Sequence, residues 1–202
     1  MSQAMPDRSA ALLRVTDLVA GYASPVVGPV SFEICPGETL GLWGSNGSGK
    51  STLLQAIAAS ARVFAGKIER ADGLTLAYQE QRPARLPTMP VTGRDLLGCA
   101  GVPPERPPPG MPGEVLGRRI DRLSGGQFQF LCVWAILARG ADLVLLDEPT
   151  NNMDPRHELL LTEILSTPDP GPVQHRAVLL VSHERVFLEG ACTRVLEIGA
   201  WD

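Results

Sequence analysis

Short apolar runs alternate along this chain with longer stretches in which apolar residues recur at helical spacing. The short runs predict strands, and they lie at 12–19, 25–34, 39–43, 143–146, 178–181 and 193–198. The helical spacing predicts helices at 50–61, 124–138, 155–165 and 184–188. Because strands alternate with helices, the pattern favours an α/β fold built on a parallel sheet.

The region between the first and second predicted helices has a different character. Two segments, 66–70 and 74–78, flank the turn Asp72-Gly73, which predicts a β-hairpin. The following stretch, 82–122, is rich in proline, and only 92–97 and 114–120 have helical spacing. This composition predicts a small, loosely structured inserted subdomain within one domain spanning 1–202; a disordered linker is the alternative.

A phosphate-binding pattern occupies the junction between the third strand and the first helix. It has Gly, four residues, Gly, Lys and then Ser or Thr, and comprises Gly44, Ser45, Asn46, Gly47, Ser48, Gly49, Lys50, Ser51 and Thr52. Glycines let the backbone approach a polyphosphate, and the helix beginning at Lys50 directs its positive end toward it. Lys50 is predicted to bind the β- and γ-phosphates, and Ser51 to ligate Mg²⁺.

Two acidic residues, Asp147 and Glu148, end a buried strand, where α/β folds place their ligands. We therefore expect this strand to lie beside the phosphate loop. Asp147 suits Mg²⁺, which prefers hard oxygen ligands, and Glu148 could orient or deprotonate a water molecule. In the alternative interpretation, the two carboxylates only cap a turn.

Composition narrows the classes of partner. The 202 residues are 44% hydrophobic and carry a net charge of -4, so the chain has no general attraction for nucleic acid or anionic lipid. The four cysteines lack metal-site spacing, and no apolar run approaches the length of a membrane helix. A cytoplasmic location is expected.

Tyr22 either covers the edge of the sheet or stacks on a purine ring.

The run Leu123-Ser124-Gly125-Gly126-Gln127 resembles the signature sequence of ATP-binding cassette (ABC) proteins. Other motifs of that family follow in the same order. The resemblance assigns Tyr22 to adenine stacking, Gly44 to Thr52 to the Walker A loop, Gln81 to the Q-loop, Leu143 to Asp147 to Walker B, Glu148 to the catalytic glutamate, Asn151 to Asp154 to the D-loop, and His183 to the switch histidine.

This resemblance implies a P-loop NTPase fold with a mainly parallel core sheet, an antiparallel β subdomain and a small helical insert. It also implies a site shared by two cassettes paired head to tail, with ATP and Mg²⁺ as cofactors. Lys50, Gln81, Glu148 and His183 would be catalytic, and Ser51, Gln81 and Asp147 would serve the metal. Residues contacting the nucleotide would include the partner-facing Ser124, Gly125, Gly126, Gln127 and Asp154.

The sequence also departs from the family pattern. Gln79-Glu80 replaces the usual Val-Pro, so that Gln79 remains an alternative to Gln81. Phe130 stands where many cassettes have Arg, which affects local polar contacts. The insert is short and rich in proline for this family.

The resemblance implies an ATP-hydrolysing subunit that dimerises on ATP, is held peripherally at the inner face of the membrane, and powers a partner permease. The residues after Gln81 resemble cassettes of zinc- and manganese-type metal importers. The alternative is a soluble ABC ATPase, because 148–152 and 182–188 resemble the F subfamily of translation factors. That subfamily has two cassettes and a charged linker in one chain. A P-loop kinase would not explain Leu123 to Gln127.

Overall fold

The computed structural model describes residues 11–80, 90–167 and 176–199. Its strands are β1 (Leu13–Gly21), β2 (Pro25–Ile34), β3 (Thr39–Trp43), β4 (Arg62–Arg70), β5 (Leu76–Gln79), β6 (Leu143–Asp147), β7 (Ala177–Val181) and β8 (Arg194–Glu197). Its α-helices are α1 (Lys50–Ile57), α2 (Gly93–Cys99), α3 (Gly113–Leu116), α4 (Gly125–Ala138), α5 (Pro155–Ser166) and α6 (Arg185–Ala191), and Ile120–Arg122 forms one 3-10 turn.

The core is a five-stranded sheet in the order β5-β6-β7-β3-β8, and every neighbouring pair is parallel. Both β6 and β7 are buried along their whole length, as expected for continuous apolar strands covered on both faces. This confirms the predicted α/β fold. All five strands therefore end at the same edge, where their loops can form one site.

A second sheet is antiparallel, with the order β2-β1-β4. It corrects the predicted hairpin, because β4 pairs with β1 whereas β5 joins the parallel sheet beside β6. The Asp72-Gly73 turn thus connects two sheets. The side chain of Asp142 holds β5 in place by accepting hydrogen bonds from the backbone N–H and the hydroxyl of Thr75, at 2.8 and 2.6 Å.

The helices cover the two faces of the core sheet. Helix α1 packs between the core sheet and the antiparallel sheet, and its Leu53, Leu54 and Ile57 are fully buried. Helix α4 packs on the opposite face with α5 and α6. None of the helices in the described ranges is long and apolar enough to cross a membrane.

The described part of the insert, from residue 90 to 122, is packed rather than loose. Thr92 begins α2 with a capping box, in which its hydroxyl accepts from the backbone N–H of Asp95 and the Asp95 carboxylate accepts from that of Thr92. Five apolar side chains are buried in a core shared with α4: Leu97, Val102, Met111, Leu116 and Ile120. Residues 82–89 lie outside the described residues.

Replacement of Leu180, a fully buried residue in the central strand β7, should test this packing. We expect Leu180→Ala to lower the free energy of unfolding by about 2–5 kcal/mol, since it removes buried surface and leaves a cavity. Urea unfolding followed by circular dichroism measures the loss. Leu159→Ala is the matched control, because Leu159 is 70% exposed and its loss should stay within about 0.5 kcal/mol. Equal losses in both variants would contradict this arrangement.

Candidate nucleotide-binding site

A cavity of about 430 Å³ opens at the carboxyl edge of the core sheet. Nearly all of its wall comes from the phosphate loop and from the segments after β6 and β7: Val26, Asn46, Gly47, Gly49, Lys50, Ser51, Thr52, Glu148, Asn151 and His183. The structure thus brings together the phosphate loop, one predicted acidic residue and the predicted switch histidine.

The phosphate loop connects β3 to the first turn of α1. Gly49, the last residue before the helix, has φ = 86°, and a Cβ there would lie 2.5 Å from the Cβ of Val27. Only glycine fits both the backbone conformation and this close approach. The helix begins at Lys50, so its first backbone N–H groups have no partner within the helix and provide an anion site.

Lys50 is 6% exposed, and its ammonium group donates to the carbonyls of Gly44 and Ser45 at 2.8 and 2.9 Å. Burial lowers its pKa, whereas the nearby Glu148 and Asp147 act in the opposite direction. The lysine is therefore held inside the loop, beside the cavity and close to two carboxylates.

The Ser51 hydroxyl donates to Asp147 Oδ1 at 2.9 Å. The end of β6 thus lies beside the phosphate loop, as predicted, although β7 separates β6 from β3, the strand that precedes this loop. The contact still forms because Ser51 belongs to α1, which packs against β6. Burial is the main cause that raises the pKa of Asp147 to about 6; Glu148 adds to this, and the Ser51 hydrogen bond opposes it.

Glu148 and His183 form a pair at the rim of the cavity. Glu148 Oε2 lies 2.8 Å from His183 Nδ1, and the glutamate side chain is 7% exposed while that of the histidine is 48% exposed. Glu148 has φ = 49°, an uncommon conformation for a residue with a side chain, and its N–H donates to Val181 O at 3.0 Å. The ends of β6 and β7 thereby hold the pair in place.

Several predicted site residues do not line this cavity. Tyr22 is 54% exposed, and its hydroxyl donates to the Gln55 amide oxygen of α1. Asp147 lies behind Ser51, and Asp154 caps α5. Gln81 lies outside the described residues. Gln79 is buried under the α4 face of the sheet, and its amide has no hydrogen-bond partner among the described residues.

The signature residues also lie apart from the cavity, at the N-terminus of α4. Ser124 caps this helix by accepting from the N–H of Gln127 at 3.1 Å, and the Gln127 side chain accepts from the Ser124 N–H at 3.1 Å. Ser124 and Gly125 are exposed. The run therefore forms an ordered helix start, and none of its residues lines the phosphate-loop cavity of the same chain.

The structure also adds residues that were not predicted for the site. Val26 lines the cavity from the antiparallel sheet, and Asn151 lines it from the turn after Walker B. Gln55 contacts Tyr22. Asn151 could have been proposed from its position in the D-loop, whereas Val26 and Gln55 belong to no motif.

The raised pKa of Asp147 predicts that Asp147→Asn stabilises the protein without nucleotide above pH 7. Asparagine removes a buried charge and keeps an acceptor for Ser51. The folded-state pKa, about 6, exceeds the unfolded value of 3.8, so the native state takes up a proton first as the pH falls. The variant's advantage, on the order of 5 °C in melting temperature, should therefore shrink below pH 6.

Differential scanning fluorimetry between pH 4.5 and 8.5 measures this difference. The exposed Asp72→Asn is the control, and it should leave the melting curve unchanged across the range. An advantage of Asp147→Asn that grows toward low pH would contradict a raised pKa.

Comparisons with known proteins agree with this geometry. The family model described as ABC transporter matches residues 27–91. The zinc import ATP-binding protein ZnuC of Paracoccus denitrificans (strain Pd 1222) is 35% identical over 193 residues, covering 92% of this chain and 75% of that protein. The ATP-binding protein YdiF of Bacillus subtilis (strain 168) is 30% identical, covering 94% of this chain and 30% of YdiF.

Among solved structures, the ATP-binding subunit of an ABC transporter is similar, with a TM-score of 0.74 and 25% identity. The match covers 93% of this chain and 85% of that structure. The strand-loop-helix phosphate site, the parallel sheet and these relatives agree with each other. The chain therefore belongs to the ABC transporter family, as a cassette that binds and hydrolyses ATP.

Proposed function

We propose that this cassette pairs with a second cassette on binding ATP and powers metal-ion import through a partner permease, with zinc as the leading candidate. The observation that carries the site chemistry is the phosphate-loop cavity with Glu148 and His183 at its rim. The transport assignment is supported by 35% identity, over 92% of the chain, to a protein named for zinc import.

Binding of ATP rests on the phosphate loop. The N–H groups at the start of α1 and the Lys50 ammonium surround the place where the phosphates would lie. Tyr22 would support the adenine ring, since its exposed ring stands at the end of β1 and its hydroxyl is anchored to α1.

Mg²⁺ fits the donors present. The Ser51 hydroxyl and an Asp147 carboxylate oxygen lie 2.9 Å apart, and Mg²⁺ uses one or two such oxygens together with phosphate oxygens and waters. When bound, the ion would neutralise charge on the β- and γ-phosphates. Gln81 is proposed as a further metal and catalytic residue.

Hydrolysis requires a group that orients the attacking water, and Glu148 is in position to do so. Its carboxylate lines the cavity, where it could accept a proton from water near the γ-phosphate. The His183 ring, 2.8 Å away, would hold this carboxylate and donate a hydrogen bond toward the phosphate.

The position of the signature residues supports pairing. Ser124 and Gly125 are exposed at the N-terminus of a 14-residue helix, a location suited to an anion, but they do not line the chain's own cavity. In a head-to-tail pair, Ser124 to Gln127 and Asp154 of one protomer would cover the nucleotide of the other.

The inserted subdomain, 82–122, is proposed as the part that docks onto the permease. It follows β5, whose end lies beside the acidic end of β6 at the nucleotide site. A movement of the insert relative to the core sheet could therefore be coupled to the state of the nucleotide. Attachment to a permease would place the cassette at the inner face of the membrane.

Glu148→Gln tests the hydrolytic assignment. The amide cannot accept a proton from water, so we expect the ATPase rate to fall by about 100-fold or more, while ATP binding is retained. Phosphate release measures the rate, and light scattering after gel filtration with ATP and Mg²⁺ measures the dimer. The variant should accumulate as a dimer because hydrolysis no longer separates the pair.

The exposed Glu114→Gln on α3 provides the control and should hydrolyse ATP at the normal rate. If Glu148→Gln retained normal turnover, Glu148 would have no role as the base.

Copurification tests the partner. We expect the Glu148→Gln protein, tagged and recovered from detergent-solubilised membranes with ATP, to bring down a permease with several membrane spans. Deletion of the gene for this cassette should lower the uptake of radioactive zinc by the cells. Recovery with ribosomes in place of a permease would refute the transport proposal and favour the soluble alternative, to which the similarity with YdiF would then point.

A further inference from the structure

Helix α4, which begins with the signature residues, packs closely against the turn formed by residues 149–154. Gly126 rests directly on this turn, because a Cβ at that position would lie 3.0 Å from Asp154 N and 3.1 Å from Asn152 O. A side chain there would push the two segments apart. The side-chain amide of Gln129, also on α4, donates to Pro149 O at 3.2 Å, and Gln129 is 4% exposed.

His157 binds the other end of the turn. Its backbone N–H donates to Asp154 Oδ1 at 3.1 Å, and its Nδ1 lies 2.8 Å from Asp154 Oδ2. One residue thus engages both carboxylate oxygens. The backbone N–H and then the imidazole hold the pKa of Asp154 below its ordinary value, so that the carboxylate is charged. Its side chain is 48% exposed, whereas that of His157 is only 10% exposed.

The second contact of His157 is with α4 itself. Its ring lies 4.9 Å from that of Phe130, centroid to centroid, at an angle of 41°. Phe130 is 1% exposed, so this face of the imidazole is fixed by the core. A helix cap needs only the backbone N–H of His157, and the imidazole therefore adds a bond that α5 does not require.

The turn formed by residues 149–154 contacts both the phosphate cavity and helix α4. Asn151 lines the phosphate cavity, and Asn152 and Asp154 support Gly126. The turn thus connects the chain's own nucleotide cavity with the helix start that carries the signature.

We propose that His157 is a positioning residue that locks Asp154 onto α4, so that residues 151–154 and the signature present one rigid surface to the second cassette. This inference rests on the proposed pairing of cassettes. Neither His157 nor Asp154 lines the phosphate cavity of the same chain. The lock should therefore affect pairing and the maximal rate, but not the binding of ATP to a single cassette.

Two variants separate the functions of the imidazole. His157→Phe keeps a ring against Phe130 but removes Nδ1. His157→Asn places an amide nitrogen near the position of Nδ1 and removes most of the ring. In the Glu148→Gln background, we expect His157→Phe to weaken the ATP-driven dimer about tenfold, the effect of one hydrogen bond to a charged group. His157→Asn should recover most of the loss.

Sedimentation velocity gives the dimer dissociation constant, and a fluorescent ATP analogue gives nucleotide affinity under dilute, monomeric conditions. In the protein that retains Glu148 and can hydrolyse ATP, we expect His157→Phe to lower kcat, while KM for ATP stays the same. Circular dichroism establishes that each variant is folded.

Should His157→Phe unfold, His157→Leu, which removes Nδ1, together with Asp154→Asn and the double variant His157→Leu/Asp154→Asn completes a mutant cycle. We expect coupling between the two positions, so that the double variant loses less than the sum of the single losses. Additive losses would overturn the lock.

The outcomes also separate this inference from the function it rests on. A Glu148→Gln protein that stays monomeric with ATP would refute the proposed pairing. A Glu148→Gln protein that dimerises, with equal affinity when His157→Phe is added, would refute the positioning role alone. Equal losses for His157→Phe and His157→Asn would also refute it, because the hydrogen bond at Nδ1 would then not be the cause.

Discussion

The hydrogen bond from the Ser51 hydroxyl to the Asp147 carboxylate joins two segments that the core sheet keeps apart. β7 lies between the strand before the phosphate loop and the strand that ends in Asp147. Helix α1 spans this gap because it begins at Lys50 and packs against β6. Asp147 is 2% exposed, and this contact gives its charge a donor. Glu148 follows Asp147 directly and pairs with His183 at the same edge of the sheet.

Parts of the fold with local signals could be predicted from the sequence. Thr92, Ser124 and Asp154 each precede a helix and accept from a backbone N–H of its first turn, and residues of these types favour that position. The position of β5 could not be predicted. A strand after Asp72-Gly73 looks the same whether it pairs back on β4 or joins β6. The partners that β5 has in the structure, the strand β6 and Asp142, lie far away in sequence.

The candidate site shows the same limit. The phosphate loop was predictable because its nine residues are contiguous and their chemistry is local. The resemblance assigned roles to Glu148 and His183, but their direct contact arises from strands that become neighbours only in the folded sheet. Gln55 and His157 belong to no motif. Gln55 meets Tyr22 and His157 meets Phe130 only through tertiary packing, although the contact of His157 with Asp154 is local.

Lys50 gives the phosphate loop a property that the motif alone does not reveal. Its ammonium is solvated by the carbonyls of Gly44 and Ser45, which act as the water shell would in solution. A phosphate that binds Lys50 would therefore replace carbonyl oxygens of the same loop as the acceptors of the ammonium group. The contribution of Lys50 to nucleotide affinity would then be the difference between these two sets of contacts. This difference in free energy can be small even though each contact of the ammonium group is strong, and a small difference would let ADP and phosphate dissociate after hydrolysis.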